Sequence, residues 1–287
     1  MLLVIGATGT IGNEVVRLLI ARGVKVRAVT RDRTASKAQA IEAAGADLVE
    51  ADLERPETLG PAFDGIEKAF LVTPFSLRQA ELKSNAIQAA KMAGVRHVVM
   101  STGIGTAPDA PLVIARMHAQ SQQELQESGM AWTFLQPTFF MQNLLMFAQS
   151  IAKDAVFYQA FGDAKVSEID ARDIAAVGVE VLTTSGHEGK AYPLTGPEAI
   201  SGDDKAAVLS DVLGKPVRHV PISLEQAREG MIQAGFLADA ADAMNELNAI
   251  AAAGHAAAVM NTVEQVTGRP ARSFRQFAED YAPEFQG

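Results

Sequence analysis

Cysteine is absent from the 287-residue chain, which excludes disulfides, thiolate metal sites and a cysteine nucleophile. Basic residues are outnumbered by acidic ones, 25 against 34, for a formal net charge of −9. That balance argues against a nucleic-acid partner, whose phosphates demand clustered Lys and Arg. No apolar run approaches the roughly 20 residues needed to cross a bilayer. The N-terminus has no basic segment and no cleavage site, and its apolar run is needed as a strand. The expected compartment is therefore the cytoplasm, with no membrane partner. No H-x-x-x-H pair or carboxylate cluster suggests a metal, and no G-x-S-x-G motif suggests a hydrolase. Apolar residues make up 48% of the chain and charged residues 21%, a composition suited to a soluble globular protein with ample core.

Up to about residue 150, short β-rich runs alternate with longer helical ones. Strands are expected at 2–5, 25–30, 47–50, 68–72, 97–100 and 132–136, and helices at 14–21, 36–44, 77–93 and 112–128. Such alternation requires right-handed crossovers and a parallel sheet covered on both faces. The expected fold is α/β, a Rossmann-type doubly wound sheet over 1–150, with a returning helix near 171–182. The remainder, 151–287, is expected to be a smaller helix-rich domain forming the other wall of a substrate cleft. Short strands are expected there at 191–194 and 217–221. Ligands of doubly wound sheets sit outside the carboxyl ends of the strands.

The opening residues, MLLVIGATGTIG, carry the strongest signal. An apolar strand runs straight into Gly6, Gly9 and Gly12, and a helix follows. Gly6 permits a tight turn, Gly9 lets backbone N–H groups reach a diphosphate, and Gly12 lets the helix pack closely on the strand. The helix N-terminus holds phosphate through unpaired N–H groups and its partial positive charge. The spacing is G-x-x-G-x-x-G rather than G-x-G-x-x-G, and it is the strand–turn–helix setting that gives it meaning.

The second strand ends in VTRDR. An arginine there accommodates the 2′-phosphate of NADP, whereas an acidic residue bonds the ribose of NAD. Arg31 with Arg33 favours NADP(H), while Asp32 leaves NAD(H) open. Asp52, with Leu53 beside it, follows the third strand, where a carboxylate either meets the adenine or caps a helix. Thr73 and Pro74 follow the fourth strand, beside the expected nicotinamide ribose. Phe75 is either a substrate-pocket wall or core. Ser101 and Thr102, after the fifth strand, orient nicotinamide or substrate, or else cap a helix. Beyond the sixth strand, Pro137, Thr138, Phe139, Phe140 and Met141 offer an apolar wall for a flat substrate.

A second scarcity bears on mechanism. Short-chain dehydrogenases move a substrate proton with a tyrosine and a lysine four residues on. The chain has only three tyrosines. Four residues beyond Tyr158, Tyr192 and Tyr281 stand Gly162, Gly196 and Phe285. In the helix after the fifth strand, Ile114 takes the tyrosine place and His118 the lysine place. Ordinary alcohol–ketone chemistry is not expected. His118 is the best-placed titratable group, either hydrogen-bonding the nicotinamide ribose or acting as a general acid near neutral pH.

Together GATGTIG, VTRDR, AGVRHVVMSTG, SGMAWTFLQPTFFMQNLL, YPLTGPEAIS and GRPARSFRQFAEDYAPEF resemble the NmrA-like branch of atypical short-chain dehydrogenases. The resemblance covers nearly the whole chain. It implies an NADP site at Gly6, Thr8, Gly9, Thr10, Ile11, Gly12 and Arg31, continued by Thr73, Pro74 and the 137–140 turn. His118 stands where many members have a lysine. The expected activity is hydride transfer from NADPH to a conjugated aromatic acceptor such as a quinone, dye or enone, by a monomer or homodimer. The family also holds non-catalytic NADP(H)-sensing regulators, and a tailoring enzyme acting on a polycyclic aromatic is a third reading.

Overall fold

The run Leu2–Ile5 becomes the first strand, β1, buried along its whole length in the computed structural model, which describes residues 1–287. After it come α1 (Thr10–Ala21), β2 (Val26–Thr30), α2 (Ser36–Ala43), β3 (Asp47–Glu50), α3 (Leu59–Phe63), β4 (Lys68–Leu71), α4 (Gln79–Met92), β5 (His97–Ser101), α5 (Val113–Glu127) and β6 (Ala131–Pro137). The expected strands and helices of this part are all present, with ends shifted by a few residues. The second half contains α6 (Ala148–Asp154), β7 (Val156–Gln159), α7 (Ala171–Thr183), β8 (Lys190–Leu194), α8 (Gly202–Leu213), β9 (Arg218–Pro221) and α9 (Leu224–Gln233). It ends with α10 (Ala238–Ala252), α11 (Thr262–Thr267), α12 (Phe274–Asp280) and α13 (Ala282–Gln286).

The chain divides into two compact units, Met1–Pro137 with Ala171–Pro193, and Thr138–Asp170 with Leu194–Gly287. In the first, one sheet runs in the order β3-β2-β1-β4-β5-β6-β8. β1 pairs in parallel with β2 on one side and β4 on the other. The strand order therefore reverses at β1 and β4, and doubly wound sheets bind ligands at such a switch point. Side chains alternate across the pleat. Leu3, Ile5, Leu71, Val98, Met100 and Phe134 join one core cluster with Leu59, Phe63, Ala86, Ile87 and Leu125 from α3, α4 and α5. Phe70 and Leu135 point the other way, toward α7, where a Cβ on Gly178 would lie 2.7 Å from the Phe70 ring. α7 also packs along α1.

The boundary falls at Pro137 rather than near residue 150. β6 ends at a residue without an N–H, and a few residues on Met141 and Leu144 enter the core of the second unit. In that unit β7 pairs in parallel with β9. Its core gathers Met141, Leu144, Ile151, Phe157, Leu209, Phe274, Phe277 and Phe285. Serines at 201, 223 and 273 cap α8, α9 and α12 with reciprocal side-chain bonds. No helix is long and apolar enough to cross a membrane.

Candidate functional site

The turn after β1 has no room for a side chain at Gly6 or Gly12. Gly6 adopts φ +80°, and a Cβ there would lie 2.4 Å from the Val72 carbonyl oxygen beyond β4. A Cβ on Gly12 would stand 2.1 Å from the Gly6 carbonyl oxygen. Gly9 is different, meeting only that same oxygen, at 3.3 Å. The first helical hydrogen bond is donated by Asn13 to Gly9, at 2.9 Å. The N–H groups of Thr10, Ile11 and Gly12 therefore precede the ladder. Gly9 offers no side-chain cap and the first turn holds no acidic residue, so nothing on the chain competes for them. Gly9 and Thr10 are exposed and Thr8 is half-buried, while Ile11 is core. The arrangement fits the diphosphate of a dinucleotide.

At the end of β2 the charged residues divide. Arg33 is bound to Glu42 at 2.7 Å. The Asp32 carboxylate accepts from the Thr34 N–H and hydroxyl at 2.7 and 2.6 Å, and these bonds hold it below the usual carboxylate range. Arg31 is exposed and makes no ion pair within the chain. Of the two arginines expected to meet a 2′-phosphate, only Arg31 is available without breaking a pair.

Beyond β3, Asp52 caps its own turn, accepting from the Glu54 N–H at 3.0 Å. Leu53 packs against the first unit's core and accepts from the Asn85 side chain at 2.7 Å. After β4, Thr73 is half-buried and Pro74 and Phe75 are exposed. Phe75 is not core.

The end of β5 and the helices α4 and α5 carry an arrangement not expected from the sequence. Thr102 donates from its N–H and its hydroxyl to the Leu135 carbonyl, latching β5 to β6, and accepts from Gln122. Lys83 of α4 is 1% exposed. Its Nζ donates to the Ser101 carbonyl at 3.2 Å and lies 2.8 Å from His118 Nδ1. Burial pushes the amine down to about 7. Burial, then the neighbouring Lys83 charge, push His118 down to about 2. His118 is therefore neutral near pH 7 and holds a single ring proton, so as a general acid it would give that proton from the neutral imidazole and need it replaced. Lys83 had a sequence signal: with Ala86, Ile87 and Ala90 it falls on one buried helix face, where an amine needs a reason. One turn earlier on the same face, Gln79 is also buried, and its Nε2 has no partner.

Within the second unit, the Thr138 N–H donates to the Leu194 carbonyl at 3.0 Å. Phe140 bridges to Ile169. Phe139 meets Phe161 edge-on, with centroids 5.4 Å apart. Phe139 and Phe140 are half-buried, but Met141 is 1% exposed. Met141 therefore packs the core of this unit and does not belong to an apolar wall for substrate.

The family model described as the NmrA-like family matches residues 1–281. The chain belongs to the NmrA-like family. It is similar to the NAD(P)H azoreductase of Xenophilus azovorans, 53% identical over 285 residues and 99% of each chain. It is also similar to quinone oxidoreductase 2 of Escherichia coli, 30% identical over 271 residues and 94% of each chain. Among solved structures, the Escherichia coli NADPH-dependent quinone oxidoreductase QOR2 complexed with NADPH superposes with a TM-score of 0.86. That pair is 28% identical, covering 98% of this chain and 100% of the other.

Proposed function

We propose that this NmrA-like protein is an NADPH-dependent reductase that passes hydride to a conjugated acceptor, a quinone or an azo-type dye. The observation that carries the reading is the close-packed turn with glycine at 6, 9 and 12, leading into uncapped helical N–H groups. The relatives' names, azoreductase and quinone oxidoreductase, support the acceptor class. The N–H groups of Thr10, Ile11 and Gly12 hold the diphosphate, with Thr8 beside them, and Arg31 holds the 2′-phosphate. Thr73, Pro74, Ser101 and His118 line the strand ends where the nicotinamide belongs. NADPH bound there supplies the hydride.

The chain's own contribution to the transfer is chiefly orientation, because a conjugated acceptor spreads the incoming charge without a strong protein acid. Phe75 offers an exposed apolar face at the end of β4. The protein works in the cytoplasm on a small-molecule acceptor, as a monomer or homodimer. Steady-state oxidation of NADPH with a panel of quinones and azo dyes tests this. Turnover dependent on both enzyme and acceptor is expected. Tight NADPH binding without turnover on any acceptor would contradict it and leave a nucleotide sensor.

A further inference from the structure

Lys83 is buried without a carboxylate to neutralise it. Nearby charges are engaged elsewhere: on α5, Glu124 accepts from Ser84 and Gln88, and Arg116 donates to the Ala110 and Pro111 carbonyls. At the start of its own helix, Arg78, the residue before α4, pairs with Glu81 at the surface. An apolar residue would fill this place at lower cost than an amine, so the lysine calls for a role beyond packing.

Its bonding suggests that role. An ammonium has only protons to offer, so His118 Nδ1 accepts from it and the imidazole proton resides on Nε2. Nε2 has no partner within the chain and is not among its fully buried unpaired atoms. It also lies at the carboxyl end of β5, where a Cβ on Gly103 would come within 3.9 Å of it. Lys83 itself is shut off from water, so the imidazole is its natural route of proton exchange.

We infer that Lys83 acts through His118 as a proton-supplying positioning residue, holding Nε2–H toward the strand ends and refilling it after each delivery. The inference rests on the reductase reading. Once the acceptor holds the hydride and its electron pair, its oxyanion or nitrogen anion takes the Nε2 proton. Nδ1 takes a proton from Nζ in the same exchange, leaving a neutral amine and a neutral imidazole of the other tautomer. A solvent proton then returns to Nε2, and the Nδ1 proton returns to Nζ. One proton enters from water per acceptor reduced, and no further reductant is needed. The lowered basicity of Lys83 is compatible with this exchange near neutral pH.

Nitrogen NMR of the full chain, 15N-labelled at histidine and without nucleotide, tests the geometry independently of turnover. His118 is expected as the Nε2–H tautomer below about pH 7, with a one-proton transition near that value sensed at Nδ1. Lys83→Met is expected to abolish the transition and lower kcat about a hundredfold, leaving the Kd for NADPH within about twofold. Should that variant fail to fold, the wild-type transition and a kcat falling as pH rises through about 7 remain as readouts. A His118 protonated on Nδ1 throughout, or a pH–rate profile unchanged by Lys83→Met, overturns the relay alone. Absence of NADPH oxidation by the wild type with every acceptor removes the reductase reading and the relay with it.

Discussion

Gly12 and Gly6 are in backbone contact across the opening turn: a Cβ on Gly12 would stand 2.1 Å from the Gly6 carbonyl oxygen. That closeness seats the first turn of α1 against the end of β1 and sets where its unpaired N–H groups point. Gly12→Ala must push helix and strand apart. We expect a stability loss of at least about 2 kcal/mol and loss of NADPH binding, read by urea denaturation and nucleotide titration. Gly9→Ala meets only the Gly6 carbonyl oxygen, at 3.3 Å, so it is expected to lose much less stability than Gly12→Ala yet bind NADPH about tenfold more weakly. Equal stability losses in both variants would contradict these separate roles.

Arg31 stands unpaired at the end of β2 while Arg33 is bound to Glu42. Arg31→Ala is therefore expected to weaken NADPH by about 1.5–3 kcal/mol, tenfold or more, and to leave NADH nearly unchanged. Arg33→Ala should change neither by more than about threefold. Competition titrations with both nucleotides decide between the two arginines.

Two histidines are held neutral by burial, His118 at about 2 and His97 at about 4, against an ordinary 6.5. His97 Nε2 lies 2.9 Å from the Thr133 hydroxyl, whose own proton goes to the His187 carbonyl, so Nε2 is the donor. Nδ1 is left buried without a partner. Below about 6.5 the unfolded chain gains protons that the folded chain refuses. Stability from these groups is thus complete above about 6.5 and falls on acidification, by about 1.4 kcal/mol per pH unit for each proton. His97→Gln keeps a donor for Thr133 and is expected to flatten the slope between pH 6.5 and 4. Urea midpoints over that range check it.

Lys205 and Glu168 form a buried pair in the second unit, at 2.6 Å and with 1% and 7% of their side chains exposed. Lys205 also reaches Gln159 and lies over the Phe161 ring. Lys205→Met leaves a buried carboxylate unanswered and is expected to cost about 3–5 kcal/mol, much of it recovered by adding Glu168→Leu. Thermal melts of the single and double variants measure this. A single variant as stable as the wild type would refute it.

The first unit was legible in sequence because its signals are local. Runs such as Leu2–Ile5 and His97–Ser101 are buried on both faces and stand between helices with their own periodicity. The glycine turn could be read for the same reason, Gly6 and Gly12 answering steric demands from the neighbouring strand and from within the turn. What escaped depends on distant partners. β7 is four residues long and exists through its pairing with β9. Met141 comes shortly after the strand end, yet its direction is set by the aromatic core of the second unit. Lys83 and His118 lie on different helices, and nothing in the spacing of either announces the other. The free Arg31 and the engaged Arg33 look alike in sequence, since Glu42 decides between them.

A nucleotide held at the opening βα turn underlies the orientation of the acceptor, the preference for NADPH and the task of His118. Calorimetric titration of the purified chain with NADPH, and separately with NADH, examines that most directly. One saturable site is expected, with NADPH favoured by about tenfold or more. No heat of binding with either nucleotide, from a protein shown to be folded, would contradict it.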